Sequence, residues 1–224
     1  LADGTTNTLK SGLYCAGLQK KGEGNNIGKL TIQGGELGTG ILNATGGMCG
    51  AGIGGESDYS SSNITISGGT VTATGGDMSA GIGGGYFGAG SFITINGGTV
   101  IAIGGTDGAG IGGGDDCDGS NITNITISGG SVKADTIGCT PTDGTANATP
   151  VYLLELVVDG TSAVTINGKA YPTKHIDENK LYVYLPAGEH TIVKDGGAGT
   201  TAYYAKNADN KLEAVAIGGG SDDD

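Results

Sequence analysis

The sequence predicts an all-β protein: a parallel β-helix of about five coils, followed by a small antiparallel β-sandwich-like domain. Three observations support this fold class. Glycine accounts for 49 of the 224 residues, branched apolar residues recur at fixed intervals among the glycines, and the motif AGIGG recurs with a step of 29 residues, starting at Ala51, Ala80 and Ala109. Because a disordered linker has no regularly spaced isoleucines, the glycines are better explained as corners of a repeating fold.

Each repeat contains short strands whose side chains alternate between two faces. In the motif ITI, Ile64 and Ile66 share one face while Thr65 lies on the other. No single copy could bury its apolar face, but stacked copies form one continuous core. The predicted core columns are Ile53, Ile82 and Ile111; Ile64, Ile93 and Ile125; Ile66, Ile95 and Ile127; Leu42, Val71, Val100 and Val132; and Ala44, Ala73, Ala102 and Ala134.

The composition changes after the segment TPTDGTANATP. Glycine becomes rarer. In the segments VYLLELVVDG and KLYVYLPAGEHTIVKDGG, the residue pattern is that of short antiparallel strands joined by turns. We therefore assign residues 1–148 to the β-helix and residues 149–213 to the sandwich-like domain. Residues 214–224, AVAIGGGSDDD, form an acidic tail that restates the repeat motif.

Charge excludes several classes of partner. The formal net charge is −12, and all eleven basic residues are lysines. An acidic chain without arginine is a poor match for nucleic acid or for an anionic membrane, because it offers little to neutralise phosphates. No apolar run reaches the length of a membrane span, so membrane insertion is not expected either.

The four cysteines are spaced for disulfides rather than for zinc. They form no CxxC pair and have no histidine nearby. The repeat alignment places them on adjacent coils, which predicts the disulfides Cys15–Cys49 and Cys117–Cys139 and an extracellular environment. Four buried free thiols are the alternative.

The repeats also carry a family resemblance. The stretch GAGIGGG, together with ITINGGTVIAIGG, resembles the glycine-rich repeats of large surface proteins from anaerobic Gram-positive bacteria. It is also similar to a secreted β-helix family that binds cellulose or acidic sugars, and KLYVYLPAGEHTI resembles the small β-domain that often follows such repeats. The resemblance implies a secreted or cell-surface, non-catalytic protein whose partner is a polysaccharide or cell-surface glycan.

The turn that follows each GIGG motif holds the candidate carbohydrate-binding residues. Tyr86 and Phe87 lie in register with Asp58 on one neighbouring coil and Asp116 on the other, and Tyr59 is close by. Aromatic rings can stack on sugar rings while carboxylates accept hydrogen bonds from sugar hydroxyls. Aromatic side chains that fold over their own coil are the alternative.

The sequence gives little support for catalysis or for a cofactor. Residues 30–149 contain no arginine, no histidine and one lysine, Lys133, so a polysaccharide lyase is not expected. A glycosidase is a weaker alternative, because Asp58 and Asp116 would be about 10 Å apart, beyond the roughly 6.5–9.5 Å of inverting enzymes. Asp115, Asp116 and Asp118 could supply oxygen ligands for Ca²⁺, but the signal is weak, and solvated turn charge is the favoured alternative.

The two ends of the β-helix suggest a second function. An open coil end is an unpaired strand edge that invites pairing with another chain. The tail could add to such an edge and build a filament, in which case self-association would use Ala216, Ile217, Gly218, Gly219 and Gly220. The alternative is that the chain belongs to a longer protein in which another β-helix follows.

Overall fold

A computed structural model describes residues 1–20, 28–158, 163–171 and 179–215. Its first part is built from short strands and one 3-10 turn, Gly119–Asn121. The strands are β1 (Thr6–Lys10), β2 (Leu18–Gln19), β3 (Leu30–Ile32), β4 (Ile41–Thr45), β5 (Ile53–Gly54), β6 (Ser61–Ile66), β7 (Thr70–Thr74), β8 (Ile82–Gly83), β9 (Gly90–Ile103), β10 (Ile111–Gly112) and β11 (Ile125–Ala134).

Strands β1–β11 form a parallel β-solenoid with three faces. The first face stacks β2, β5, β8 and β10; the second stacks β3, β6 and the first parts of β9 and β11. The third face stacks β1, β4, β7 and the later parts of β9 and β11. The central copies pair with a step of 29 residues, as in Ile53 with Ile82 and Val71 with Val100. The predicted parallel β-helix and its repeat are confirmed.

The predicted columns form the core of the solenoid. Almost all their members are buried, and Ile53, Ile64, Ile82, Ile93 and Ile95 have no exposed surface. Ala134, at the last coil, is half-buried. Full burial of such a side chain stabilises a fold by about 1.5–3 kcal/mol. The stacked isoleucines therefore hold together a structure whose individual strands on the first face are only two residues long.

Glycine is required at the tight corner of the first face. Gly54 and Gly83 adopt φ values of 140° and 139°, which disfavour residues with a side chain. A Cβ atom at Gly54 would lie 1.9 Å from the carbonyl oxygen of Gly83 in the next coil, and a Cβ at Gly83 would lie equally close to the oxygen of Gly112. The IG step of each repeat thus allows both the turn and the close stacking of coils.

The second part is antiparallel, as predicted. Strands β12 (Tyr152–Val157) and β15 (Lys180–Leu185) pair with each other. A second sheet has the order β14-β13-β16-β17-β18, formed by β13 (Val164–Ile166), β14 (Lys169–Tyr171), β16 (Gly188–Lys194), β17 (Thr200–Lys206) and β18 (Leu212–Val215). Both sheets contribute to a separate core that includes Leu154, Val164, Leu181 and Leu212, which gives a sandwich-like domain.

The structure gives further detail at the two limits of the sandwich-like domain. Parallel bridges from Ile111 to Ile137 and from Thr126 to Thr142 continue the solenoid stacking after β11. At the other limit, Ala214 pairs with Tyr204 and Val215 with Tyr203 inside β18. The first two residues assigned to the tail are therefore part of the sandwich-like domain, because both pair with β17.

The sandwich-like domain covers one end of the solenoid. Tyr184 on β15 packs against the solenoid core, and the amide of Tyr182 donates a hydrogen bond to Ser131 Oγ over 3.3 Å. Lys169 Nζ donates to the carbonyl oxygen of Ser128. The expectation of two open ends is therefore wrong for this end, since the last coil is covered by a domain, as edge strands often are.

Candidate functional site

Three residues of the predicted site occupy equivalent positions in successive turns. Asp58, Phe87 and Asp116 have left-handed φ values of 65°, 59° and 54°. The turns are joined by backbone hydrogen bonds, from the amide of Asp58 to the carbonyl of Tyr86 (2.7 Å) and from the amide of Phe87 to the carbonyl of Asp115 (3.1 Å). The structure thus brings the predicted aromatic turn between the two predicted acidic turns.

Tyr86 and Phe87 form a contacting pair on this edge. Their ring centroids are 3.9 Å apart, with the planes tilted by 43°. The hydroxyl of Tyr86 lies 3.4 Å from Asp116 Oδ2, and Phe87 is 50% exposed. Partial burial raises the pKa of Tyr86, and the charge and hydrogen bond of Asp116 raise it further. Tyr86 therefore remains a neutral phenol that donates to the carboxylate.

The conformation of Phe87 is strained. A left-handed backbone is tolerated by aspartate, as at Asp58 and Asp116, but costs a bulky residue about 1–2 kcal/mol. The turn directs the side chain of Phe87 outward, at a position where the neighbouring coils carry carboxylates. Phe92 has the same backbone conformation (φ 51°), so the feature that makes Phe87 a candidate for function is its contact with Tyr86 between two acidic turns.

Tyr59 completes the set of predicted residues. It is half-buried and follows Asp58 directly, and its carbonyl accepts a hydrogen bond from the amide of Gly85 (3.2 Å). Asp58 Oδ2 accepts a hydrogen bond from Ser57 Oγ (3.0 Å). We call the surface formed by Tyr59, Tyr86, Phe87, Asp58 and Asp116 the turn edge.

A second row of turns adjoins the turn edge, and the sequence analysis missed it. The amide of Ser57 donates to the carbonyl of Tyr14 (2.9 Å), and the amide of Tyr86 donates to that of Cys49 (3.1 Å). These turns expose further apolar side chains: Leu13 is 63% exposed, Tyr14 55% and Met48 45%. Leu13, Tyr14 and Met48 all lie shortly before an AG motif, and this position in the repeat was the signal that could have predicted the second row of turns.

The acidic residues at the end of the turn edge do not form a metal centre. Among the described residues, no group of three or more His, Cys, Asp or Glu side chains is arranged to hold a metal ion. Asp116 accepts a hydrogen bond from Tyr86, whereas Asp118 Oδ2 accepts one from Asn121 Nδ2 (3.3 Å). Of the predicted Ca²⁺ ligands Asp115, Asp116 and Asp118, the latter two thus have different side-chain partners.

All four cysteines are free thiols in the structure, so the predicted pairs Cys15–Cys49 and Cys117–Cys139 are not formed. The register that pairs Leu18 with Ile53 stacks Cys15 on Gly50, one position away from Cys49. Cys15 is exposed while Cys49 is buried, as expected for neighbouring positions that point in opposite directions. Cys117 Sγ lies over Gly113, and Cys139 packs against the solenoid core.

Comparison with known families supports the architecture. A sequence profile of the family described as beta helix repeat matches residues 64–86, 93–115 and 125–147. These matches and the parallel stacking of β1–β11 together show a β-helix built from repeats. No curated protein and no solved structure matches it significantly. The first two matched segments end at Tyr86 and Asp115, so Phe87 and Asp116 lie just beyond the parts of this β-helix repeat protein that the family profile describes.

The residues predicted for self-association cannot be placed. Ala216, Ile217, Gly218, Gly219 and Gly220 lie outside the described residues. No helix in the described part of this β-helix repeat protein has the length and apolar character that a membrane span requires.

A further candidate site, which the sequence did not indicate, lies among the described residues at the junction of the two domains. A cavity of about 680 Å³ lies between the last solenoid coil and the sandwich-like domain. We call it the junction cleft. Among the described residues, its lining includes three lysines and three tyrosines, namely Lys133, Lys180, Lys211, Tyr152, Tyr182 and Tyr184. These residues come from both domains, so only the folded chain brings them together.

Glu155 forms ion pairs with two of the lysines that line the junction cleft. Its carboxylate accepts hydrogen bonds from Lys211 and from Lys180, the latter over 3.4 Å. The hydrogen bond from Lys211 lowers the pKa of Glu155, and Lys180 lowers it further, against the opposing effect of burial. Burial together with the charge of Glu155 raises the pKa of Tyr184 to about 12. At neutral pH the cleft therefore holds an ionised Glu155 and a neutral Tyr184.

Proposed function

We propose that this β-helix repeat protein is a non-catalytic carbohydrate-binding protein that works outside the cell, where it adheres to a polysaccharide or cell-surface glycan through the turn edge. The observation that carries the proposal is the contact between Tyr86 and Phe87, held on a strained turn between two acidic turns.

The turn edge has the two kinds of group that sugar binding needs. The half-exposed ring of Phe87 offers an apolar surface to the C–H face of a sugar ring. Asp58 and Asp116, both exposed, offer carboxylate oxygens to its hydroxyl groups. Because the edge is acidic and the whole chain carries a net charge of −12, we expect a neutral rather than an anionic glycan.

The exposure of the edge supports binding rather than catalysis. Asp58 and Asp116 both lie on solvent-exposed turns. Catalytic sites usually exclude water around the reacting groups, and an outward-facing turn does not provide such an enclosure.

Affinity electrophoresis against a panel of neutral soluble polysaccharides tests the proposal. We expect retardation by at least one of them, and a loss of affinity of about tenfold or more for Phe87→Ala. Phe92→Ala is the matched control, because Phe92 is also a phenylalanine with left-handed φ (51°) and similar exposure (54%). If no polysaccharide retards the parent protein, the proposal is wrong. Equal losses of affinity for both variants would show that the turn edge is not the binding surface.

A further inference from the structure

We propose that the turn edge is one part of a longer site, which binds a chain of at least three sugar units across three neighbouring turns. The inference rests on the carbohydrate-binding function proposed above and extends it to the second row of turns. The added residues are Leu13, Tyr14 and Met48, whose side chains are 63%, 55% and 45% exposed. The chain of sugar units is therefore bound along its length and not only by a terminal sugar.

Backbone hydrogen bonds join the three turns in succession. The amide of Tyr14 donates to the carbonyl of Met48 (2.8 Å), and the amide of Tyr86 donates to the carbonyl of Cys49 (3.1 Å). Met48 and Cys49 share one turn, so this turn lies between that of Tyr14 and that of Tyr86 and Phe87. Each turn on this path carries an exposed apolar side chain, namely Tyr14, Met48 and Phe87.

The spacing of the turns sets the length of the ligand. Backbone segments joined by hydrogen bonds across strands lie about 4.8 Å apart, so the two steps from the turn of Tyr14 to that of Phe87 span up to about 10 Å. A pyranose ring is roughly as wide as one step. One sugar ring therefore cannot contact Tyr14 and Phe87 together, whereas three consecutive units can cover all three turns.

Exposed carboxylates accompany the apolar path. Asp58 lies on the turn beside Tyr14, since the amide of Ser57 donates to the carbonyl of Tyr14 (2.9 Å). Asp77 lies on the turn beside Cys49, whose amide donates to the carbonyl of Asp77 (3.2 Å). Both aspartates are exposed. Apolar surface for the C–H face of a sugar and acceptors for its hydroxyl groups thus recur from turn to turn, as a chain of similar units requires.

The same carboxylates argue against other occupants of this apolar surface. A second copy of the chain, with its net charge of −12, would bring a like-charged surface against this one, and an anionic membrane would be repelled in the same way. A neutral polyhydroxyl chain meets no such repulsion and can donate hydrogen bonds to the carboxylates. The charge of the surface therefore favours a neutral glycan chain.

A length series tests whether the site is extended. The probes are oligosaccharides of one to six units, prepared by hydrolysis of the polysaccharide that retards the parent protein most strongly. Titration calorimetry with the full chain should show affinity that rises about tenfold or more between one and three units and levels off beyond about four. Equal affinity for the one-unit and six-unit probes would overturn the extended site and leave the turn edge in place.

Variants of Tyr14 test the second row of turns. Tyr14→Asn removes the ring, and asparagine tolerates the left-handed backbone of this position, where φ is 66°. It should weaken binding of the six-unit probe about tenfold, and its affinity should level off at a shorter probe than that of the parent. Tyr14→Phe keeps the ring and should bind like the parent. Equal losses for the two variants would contradict contact through the ring.

Tyr203→Asn is the matched control, because it makes the same change at a tyrosine of similar exposure (46%) on β17 of the sandwich-like domain. We expect it to bind the six-unit probe like the parent, and a loss equal to that of Tyr14→Asn would overturn the proposal. If Phe87→Ala weakens binding and Tyr14→Asn does not, the extended site is wrong while the carbohydrate-binding function stands. If no polysaccharide binds the parent protein, both proposals fail.

Discussion

The backbone amide of Tyr182 donates a hydrogen bond to the side-chain oxygen of Ser131, and this 3.3 Å contact joins the sandwich-like domain to the last strand of the solenoid. Both residues are buried, with 7% and 3% of their surface exposed. A buried amide that loses its acceptor costs about 1–3 kcal/mol. We therefore expect Ser131→Ala to lower the free energy of unfolding by that amount, as measured by urea denaturation.

Ser128→Ala is the control for this contact. Ser128 lies on the same strand but accepts the hydrogen bond of Lys169 through its backbone carbonyl, which the substitution keeps. We expect a change within about 0.5 kcal/mol. Equal effects of the two substitutions would show that the Ser131 contact does not hold the domains together.

Two hydroxyl groups inside the solenoid are predicted to destabilise it. Thr70 Oγ1 and Thr99 Oγ1 are buried in paired positions of β7 and β9, and neither has a hydrogen-bond partner among the described residues. Thr99→Val replaces an unsatisfied hydroxyl with a methyl group of similar shape, so we expect a gain of about 1 kcal/mol in unfolding free energy. Thr94→Val, on the outer side of the same strand, is the control; a loss of stability for Thr99→Val would contradict the prediction.

The thiols should differ in reactivity. We expect four free thiols per chain when the unfolded protein is titrated with a thiol reagent, since all four cysteines are free in the structure. In the folded protein Cys15 should react first. Burial raises the pKa of Cys49, and Asp77 and Asp58 raise it further, which lowers its fraction of reactive thiolate at pH 8. Fewer than four thiols would instead support the disulfides predicted from the sequence.

The solenoid could be predicted because its structure repeats. The same spacing that places Ile53, Ile82 and Ile111 in one column also fixes their inward direction and their partners. The acidic and aromatic turns followed from the same register. A shift of one position was enough to make the predicted Cys15–Cys49 pair fail, because Cys15 stacks on Gly50 rather than on Cys49.

The junction cleft could not be predicted from the repeat. Lys133 belongs to the last solenoid strand, whereas Tyr182 and Lys211 belong to the sandwich-like domain. Their proximity depends on the packing of Tyr184 against the solenoid core. This packing is a tertiary contact between two different folds, and a periodic sequence pattern does not predict it.

Asp3 should make the stability of the N-terminal coil depend on pH. Its carboxylate accepts hydrogen bonds from the amides of Leu37 and Thr39, each over 2.9 Å, and from Thr39 Oγ1 over 3.2 Å. These bonds lower its pKa below the usual value of 3.8, with the amide of Leu37 as the largest cause. A carboxylate with a lowered folded-state pKa stabilises the fold above its unfolded pKa, and this contribution is lost as the pH falls through the folded-state value.

We therefore expect the difference in unfolding free energy between the parent and Asp3→Asn to be largest near neutral pH and to shrink below about pH 4. Urea denaturation at a series of pH values measures it. Asp107→Asn removes an equal charge from an exposed turn but leaves the acceptors of Leu37 and Thr39 in place, so its stability relative to the parent should not follow the same curve. Only the charged form of Asp3 offers both oxygens as strong acceptors. A difference in unfolding free energy between the parent and Asp3→Asn that does not change with pH would therefore show that the ionised carboxylate does not stabilise this turn.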